Sequence, residues 1–189
     1  MSGGDGLGIE DPLGSEDRLR QRVAELFLDE RAGFGCAETA LAVLKEAFGL
    51  PAPLDTGPAM ALNGGIAYSG ATCGAVTGAA LALGMLAQRR IADHAEAKRA
   101  ARVLTADLLD AFEREFGATG CRALTGADLR TEAGHRAFIE AGAWRVGCRR
   151  QVEFAVTRLA PLTDAAQWAT RLAALGGPEG IAGGPARDA

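Results

Sequence analysis

The chain has 189 residues, 48% of them hydrophobic and 5% aromatic, with 40 alanines against 12 valines and isoleucines together. That is about one domain, and the scarcity of branched and aromatic side chains excludes an all-β sandwich and favours helices. Lys and Arg total 20 against 24 acidic residues, a net charge of −4, and only Lys45 and Lys98 are lysines; an arginine-rich but slightly acidic chain offers no nucleic-acid-binding face.

Residues 1–14 and 176–189 are rich in glycine, with Pro12, Pro178 and Pro185 and little apolar periodicity. They are expected to be disordered tails around one helical body over 15–175. Ser15 is the expected N-cap of a first helix whose Leu19, Val23, Leu26 and Phe27 share a face. A second helix runs from Cys36 to Phe48, with Gly49 as its C′ residue and Pro51 and Pro53 breaking the chain beyond. The third follows Thr72 and runs to Arg90. The fourth, Asp93 to Phe116, buries Ala97, Ala101, Leu104, Leu108 and Phe112 and ends at Gly117. Asp128, Arg130 and Glu132 read as a turn and helix start. A fifth long helix carries Trp144, Cys148, Val152, Ala155 and Leu159 and stops before Pro161, and a short one after Thr163 places Trp168 and Leu172 on one side.

Thr56 to Gln88 is a run of 33 residues without a charge, long enough to span a bilayer, and Gly70, Gly74 and Gly78 repeat at the small-residue spacing of packed helices. The run is interrupted by Asn63, Gly64, Gly65, Ser69 and Thr72, so a buried central helix with a glycine groove explains it better than membrane insertion. The expected fold is all-α: a single compact bundle of five to six helices around this Gly-rich helix. No basic leader with a short apolar run opens the sequence, which points to the cytoplasm, where thiols are kept reduced.

Four cysteines, Cys36, Cys73, Cys121 and Cys148, stand far apart with no CxxC pair and no CxxCH. Cys36 and Cys73 fall at predicted helix starts, where free N–H groups and the helix dipole favour a thiolate. Cys121 precedes Arg122, and Cys148 lies between Arg145 and Arg149-Arg150, so neighbouring guanidinium groups are expected to act in the same direction. His94 and His135 fall in charged segments expected to be solvated, and Trp144 and Trp168 read as core. Tyr68, the only tyrosine, lies in the glycine-rich approach to Cys73; it is expected as a packed aromatic or as part of that thiol's pocket. No GxSxG, P-loop, GxGxxG or HExxH pattern is present.

These residues resemble the C-GCAxxG-C-C family of redox proteins. The likeness rests on Gly35-Cys36-Ala37, on the element Cys73-Gly74-Ala75-Val76-Thr77-Gly78, on Phe116 through Cys121 with Leu124-Thr125-Gly126, and on Cys148, all in order. It spans roughly Asp17 to Ala160 and leaves Thr163 to Leu175 unexplained. The resemblance implies that the four cysteines are the functional thiols and that Gly74 and Gly78 allow close approach to Cys73. Two chemistries follow: thiol–disulfide exchange with a redox partner protein or a small thiol or oxidant, and a Cys₄ site for an iron–sulfur cluster or zinc. Four cysteines allow three pairings, and spacing selects none of them. The bland alternative is a helical protein whose cysteines pack as small hydrophobes and whose glycine face serves a homodimer or partner helix.

Overall fold

A computed structural model describes Leu13 and residues 15–176; the tails expected to be disordered lie outside these, apart from Leu13 and Gly176. The described residues are helical with no strands, an all-α bundle as expected. The α-helices are α1 (Glu16–Phe27), α2 (Cys36–Ala47), α3 (Gly74–Arg90), α4 (His94–Phe116), α5 (Cys121–Thr125), α6 (Glu132–Ala141), α7 (Gly147–Leu159) and α8 (Ala165–Ala174). Short 3-10 turns occupy Gly57–Leu62, Ala143–Arg145 and Ala160–Thr163. No helix among the described residues is long and apolar enough to cross a membrane.

Helix boundaries follow their capping chemistry. The side chains of Ser15, Asp93, Thr131 and Asp164 each accept an N–H from the first turn of the helix they precede. Gly49 and Gly117 take the left-handed conformation at the ends of α2 and α4. Helix α2 is buried on nearly all sides, including Glu38, Thr39 and Lys45, and packs against α1, α3 and α7. It shares the centre of the bundle with the Gly-rich α3. Burying Lys45 is tolerated because its ammonium donates to the carbonyls of Ala52 (2.7 Å) and Asp55 (2.8 Å), which fastens the loop leading to Gly57–Leu62.

Three expectations need correction. Trp144 is not on the long helix with Cys148: it sits in the 3-10 turn Ala143–Arg145, and α7 begins only at Gly147, because left-handed Gly142 ends α6 and redirects the chain. Ala101 is only half-buried, the face of α4 toward the core being set by Ala97, Ala100, Leu104 and Leu108. Leu13, in the segment read as a tail, is buried in the core. Beyond the family-like region, α8 is joined to the bundle by Asp107 of α4, whose carboxylate holds Arg158 (3.1 Å) and Arg171. Arg90 also stacks on Trp168, its guanidinium 5.1 Å from the ring centroid.

Candidate functional site

The close meeting of α2 and α3 follows from two missing side chains. A Cβ on Gly74 would fall on the Cys36 sulfur and 2.9 Å from the Ala37 nitrogen. One on Gly78 would run into the Ala37 carbonyl, 2.8 Å from its carbon and 2.9 Å from the Ala37 Cα. The spacing of these glycines therefore lays the start of α2 directly on the first turns of α3, bringing together Cys36, the first residue of α2, and Cys73, the N-cap of α3.

Backbone pairing then draws in the third thiol. Thr72 and Gly120 form an isolated antiparallel bridge. Around it, the Cys73 N–H donates to the Thr119 carbonyl (2.8 Å) and the Cys121 N–H donates to the Ala71 carbonyl (2.7 Å). The fourth, Cys148, lies in the first turn of α7; one turn further on, buried Gln151 accepts from the Cys73 thiol at 3.5 Å. Cys36, Cys121 and Cys148 line one apolar cavity of about 230 Å³, while Cys73 is buried behind it. All four are free thiols.

Their electrostatics diverge sharply. Cys36 is held at about 7, first by a hydrogen bond from the Cys73 thiol and then, against the cost of burial, by the N–H groups of Gly64, Ala37 and Cys36 itself. Cys73 is pushed up, first by its pairing with Cys36 and then by burial and the charge on that sulfur. Burial and the Cys36 charge push Cys121 to about 11 and Cys148 to about 12. The expected arginine effect is absent at both, since those guanidinium groups engage carboxylates instead. Arg122 pairs with Asp128, Arg145 with Glu30, Arg149 with Glu153 and Arg150 with Glu115. Of the four, Cys36 alone ends up lowered; the Ala75 N–H at the start of α3 acts in the same direction on Cys73 but is outweighed.

The N–H that Gly64 supplies comes from an unusual segment. Gly64, Gly65, Ile66, Ala67 and Tyr68 all have positive φ, between 50° and 72°. Three of these five are not glycine, and each costs on the order of 1–2 kcal/mol in this conformation. The turn places Tyr68 at the rim of the cavity, 45% exposed, with its ring edge-on to His135 of α6 at 5.0 Å. Tyr68 thus lines the pocket of Cys36 and not that of Cys73, and His135 is half-buried there instead of solvated. Trp144 also belongs to the cavity wall, edge-on to Phe27. His94 is exposed, as expected.

A second layer of polar residues fixes the start of α2. Buried Glu38 accepts from the Gly35 N–H (3.0 Å) and from Asn63 Nδ2 (2.8 Å), and Asn63 Oδ1 accepts from the Ala37 N–H (2.9 Å). The Glu38 position was legible, three residues into a helix where a carboxylate reaches back to the cap. Asn63, an isolated polar residue in the charge-free run, had no local signal that tied it to α2. Replacing Asn63 with Ala leaves Glu38 and the Ala37 N–H short of a partner and is expected to cost about 2 kcal/mol in denaturant unfolding.

Among the described residues, no three or more His, Cys, Asp or Glu side chains are grouped to hold a metal ion. The family model described as "Putative redox-active protein (C_GCAxxG_C_C)" matches residues 34–162. The match begins after α1 and ends before α8, narrower at its start than the likeness read from the motifs. No curated protein and no solved structure shows significant similarity to the chain.

Proposed function

Because the chain belongs to the C_GCAxxG_C_C family, 34–162 being matched, we propose that it is a thiol–disulfide oxidoreductase in which Cys36 is the attacking thiol and Cys73 its resolving partner. One observation supports this reading: Gly74 and Gly78 let the start of α2 lie on the first turns of α3, setting Cys36 on the cavity wall with the buried Cys73 beside it, and the two thiols are shifted in opposite directions, Cys36 down and Cys73 up. The Cys36 thiolate attacks one sulfur of a substrate disulfide R–S–S–R′, forming Cys36–S–S–R and releasing R′S⁻. The Cys73 sulfur, giving up its proton to the solution, then attacks the Cys36 sulfur, forming the Cys36–Cys73 disulfide and releasing RS⁻. Two electrons pass from the two cysteines to the substrate, which leaves as two thiols. A dithiol or two thiols of a reducing partner then attack the Cys36–Cys73 disulfide, leave as their own disulfide and return both cysteines to thiols; such a cycle suits a compartment where thiols are kept reduced, as in the cytoplasm.

Cys121 and Cys148, held protonated beside the Cys36 charge, are the cavity walls in this scheme. Counting free thiols by intact mass across a redox titration is expected to show a fall from four to two, with peptide mapping assigning the bond to Cys36 and Cys73. A count that stays at four at every potential, or a bond between other cysteines, would overturn the proposal.

A further inference from the structure

The cavity in front of Cys36 has a chemical character of its own. Its deeper walls are aromatic and aliphatic, including Phe34, Phe138, Trp144 and Leu129, and no lysine or arginine lines it. The charged groups on its lining are carboxylates, Asp29 and Glu30, both exposed at the solvent side. Arg145, stacked on Trp144 at 4.6 Å, pairs with Glu30 at 2.7 Å, so these two charges offset each other and Asp29 is left as the net charge of the rim. The reacting sulfur adds a second negative charge once it ionises.

Size narrows the choice further. An apolar cavity of about 150 Å³ is known to take up benzene; at about 230 Å³ this one accommodates a single substituted ring but not a folded peptide segment. A carboxylate carried into it would lose its water without gaining a cation on the lining, which is unfavourable for a charge in apolar surroundings.

From the lining, the charge and the size, we infer that the oxidised substrate of Cys36 is a small uncharged aromatic molecule, and that acidic disulfides are excluded. The inference rests on the exchange chemistry proposed above and adds the substrate class. For an aryl disulfide, one ring enters the cavity, Cys36 bonds to its sulfur and the other ring leaves as the thiolate. Attack by Cys73 then expels the first ring as a second thiolate, so that two electrons are transferred as before.

Two reagents differing in charge separate the possibilities: dithiodipyridine, which is neutral, and dithiobis(nitrobenzoate), which carries one carboxylate on each ring. Stopped-flow rates with the reduced full-length chain at pH 8, above the ordinary histidine range, are divided by the rates of the same reagents with a small free thiol. The neutral reagent is expected to be favoured at least tenfold. Asp29→Asn, which keeps the side-chain acceptor for the Arg31 N–H, should speed the anionic reagent and so narrow the ratio between the two normalised rates. Phe138→Ala should slow the neutral reagent selectively. Equal normalised rates, or a preference for the anion, would overturn the substrate class while leaving the exchange reading intact. Failure of both reagents to form a Cys36–Cys73 disulfide would overturn both.

Discussion

Cys36→Ser is expected to lower the rate of thiol exchange by two orders of magnitude or more, whereas Cys121→Ser and Cys148→Ser leave most of it in place. The difference follows from ionisation. With the group held at about 7, half of Cys36 is thiolate at neutral pH and nearly all of it at pH 8.5. Cys121 at about 11 and Cys148 at about 12 contribute only a trace of thiolate there. Alkylation of the wild type by iodoacetamide should therefore rise with pH through an inflection near 7 and level off, with the label on Cys36. Sign matters here: the shift is downward, so lowering the pH through 7 protonates the sulfur and silences it, while raising the pH beyond 9 adds nothing at this residue. Cys73→Ser retains a hydrogen-bond donor, a hydroxyl in place of the weaker thiol, and is expected to keep the initial attack but stop at the mixed disulfide. An inflection near 9, the ordinary thiol range, would remove the basis for assigning Cys36 its role.

Gly78→Ala is expected to be strongly destabilising, at about 3 kcal/mol of unfolding free energy. The added carbon meets the backbone of Ala37, not a flexible side chain, so only separation of α2 from α3 can make room. That separation also moves Cys36 away from Cys73, and the inflection in alkylation should shift upward from 7 as the hydrogen bond lengthens. Gly84 of α3 has open space where its Cβ would be and supplies the control. Gly84→Ala should be neutral or slightly stabilising, through better helix propensity. If Gly78→Ala unfolds in denaturant like the wild type, the close crossing is wrong.

How much of this was legible in the sequence can be traced residue by residue. The helix starts were, because Ser15, Asp93 and the glycines after α2 and α4 act locally through caps. The glycine groove was legible too, since a repeat every four residues in an uncharged helix has few other uses. What the sequence could not reveal was direction. Arg122 and Arg149 neighbour cysteines along the chain, but the nearest carboxylates in space, Asp128 and Glu153, claim them. Likewise His135 sits among charged residues in sequence yet meets Tyr68 across nearly seventy positions. Burial decides Cys121 and Cys148, and the meeting of Cys36 with Cys73 decides the other two; both are properties of the assembled bundle and not of adjacent charge.

The run from Gly64 to Tyr68 keeps φ positive at five successive residues, and it reverses the usual rule for substitution. At Gly74 and Gly78 glycine is required because there is no room; at Ala67, which is exposed, the side chain has room and the backbone is what resists it. A fold selected only for robustness would have glycine there. Stabilising engineering of this protein would accordingly begin at Ala67, and would stop short of Gly64, whose amide faces the sulfur, and of Tyr68, whose ring meets His135.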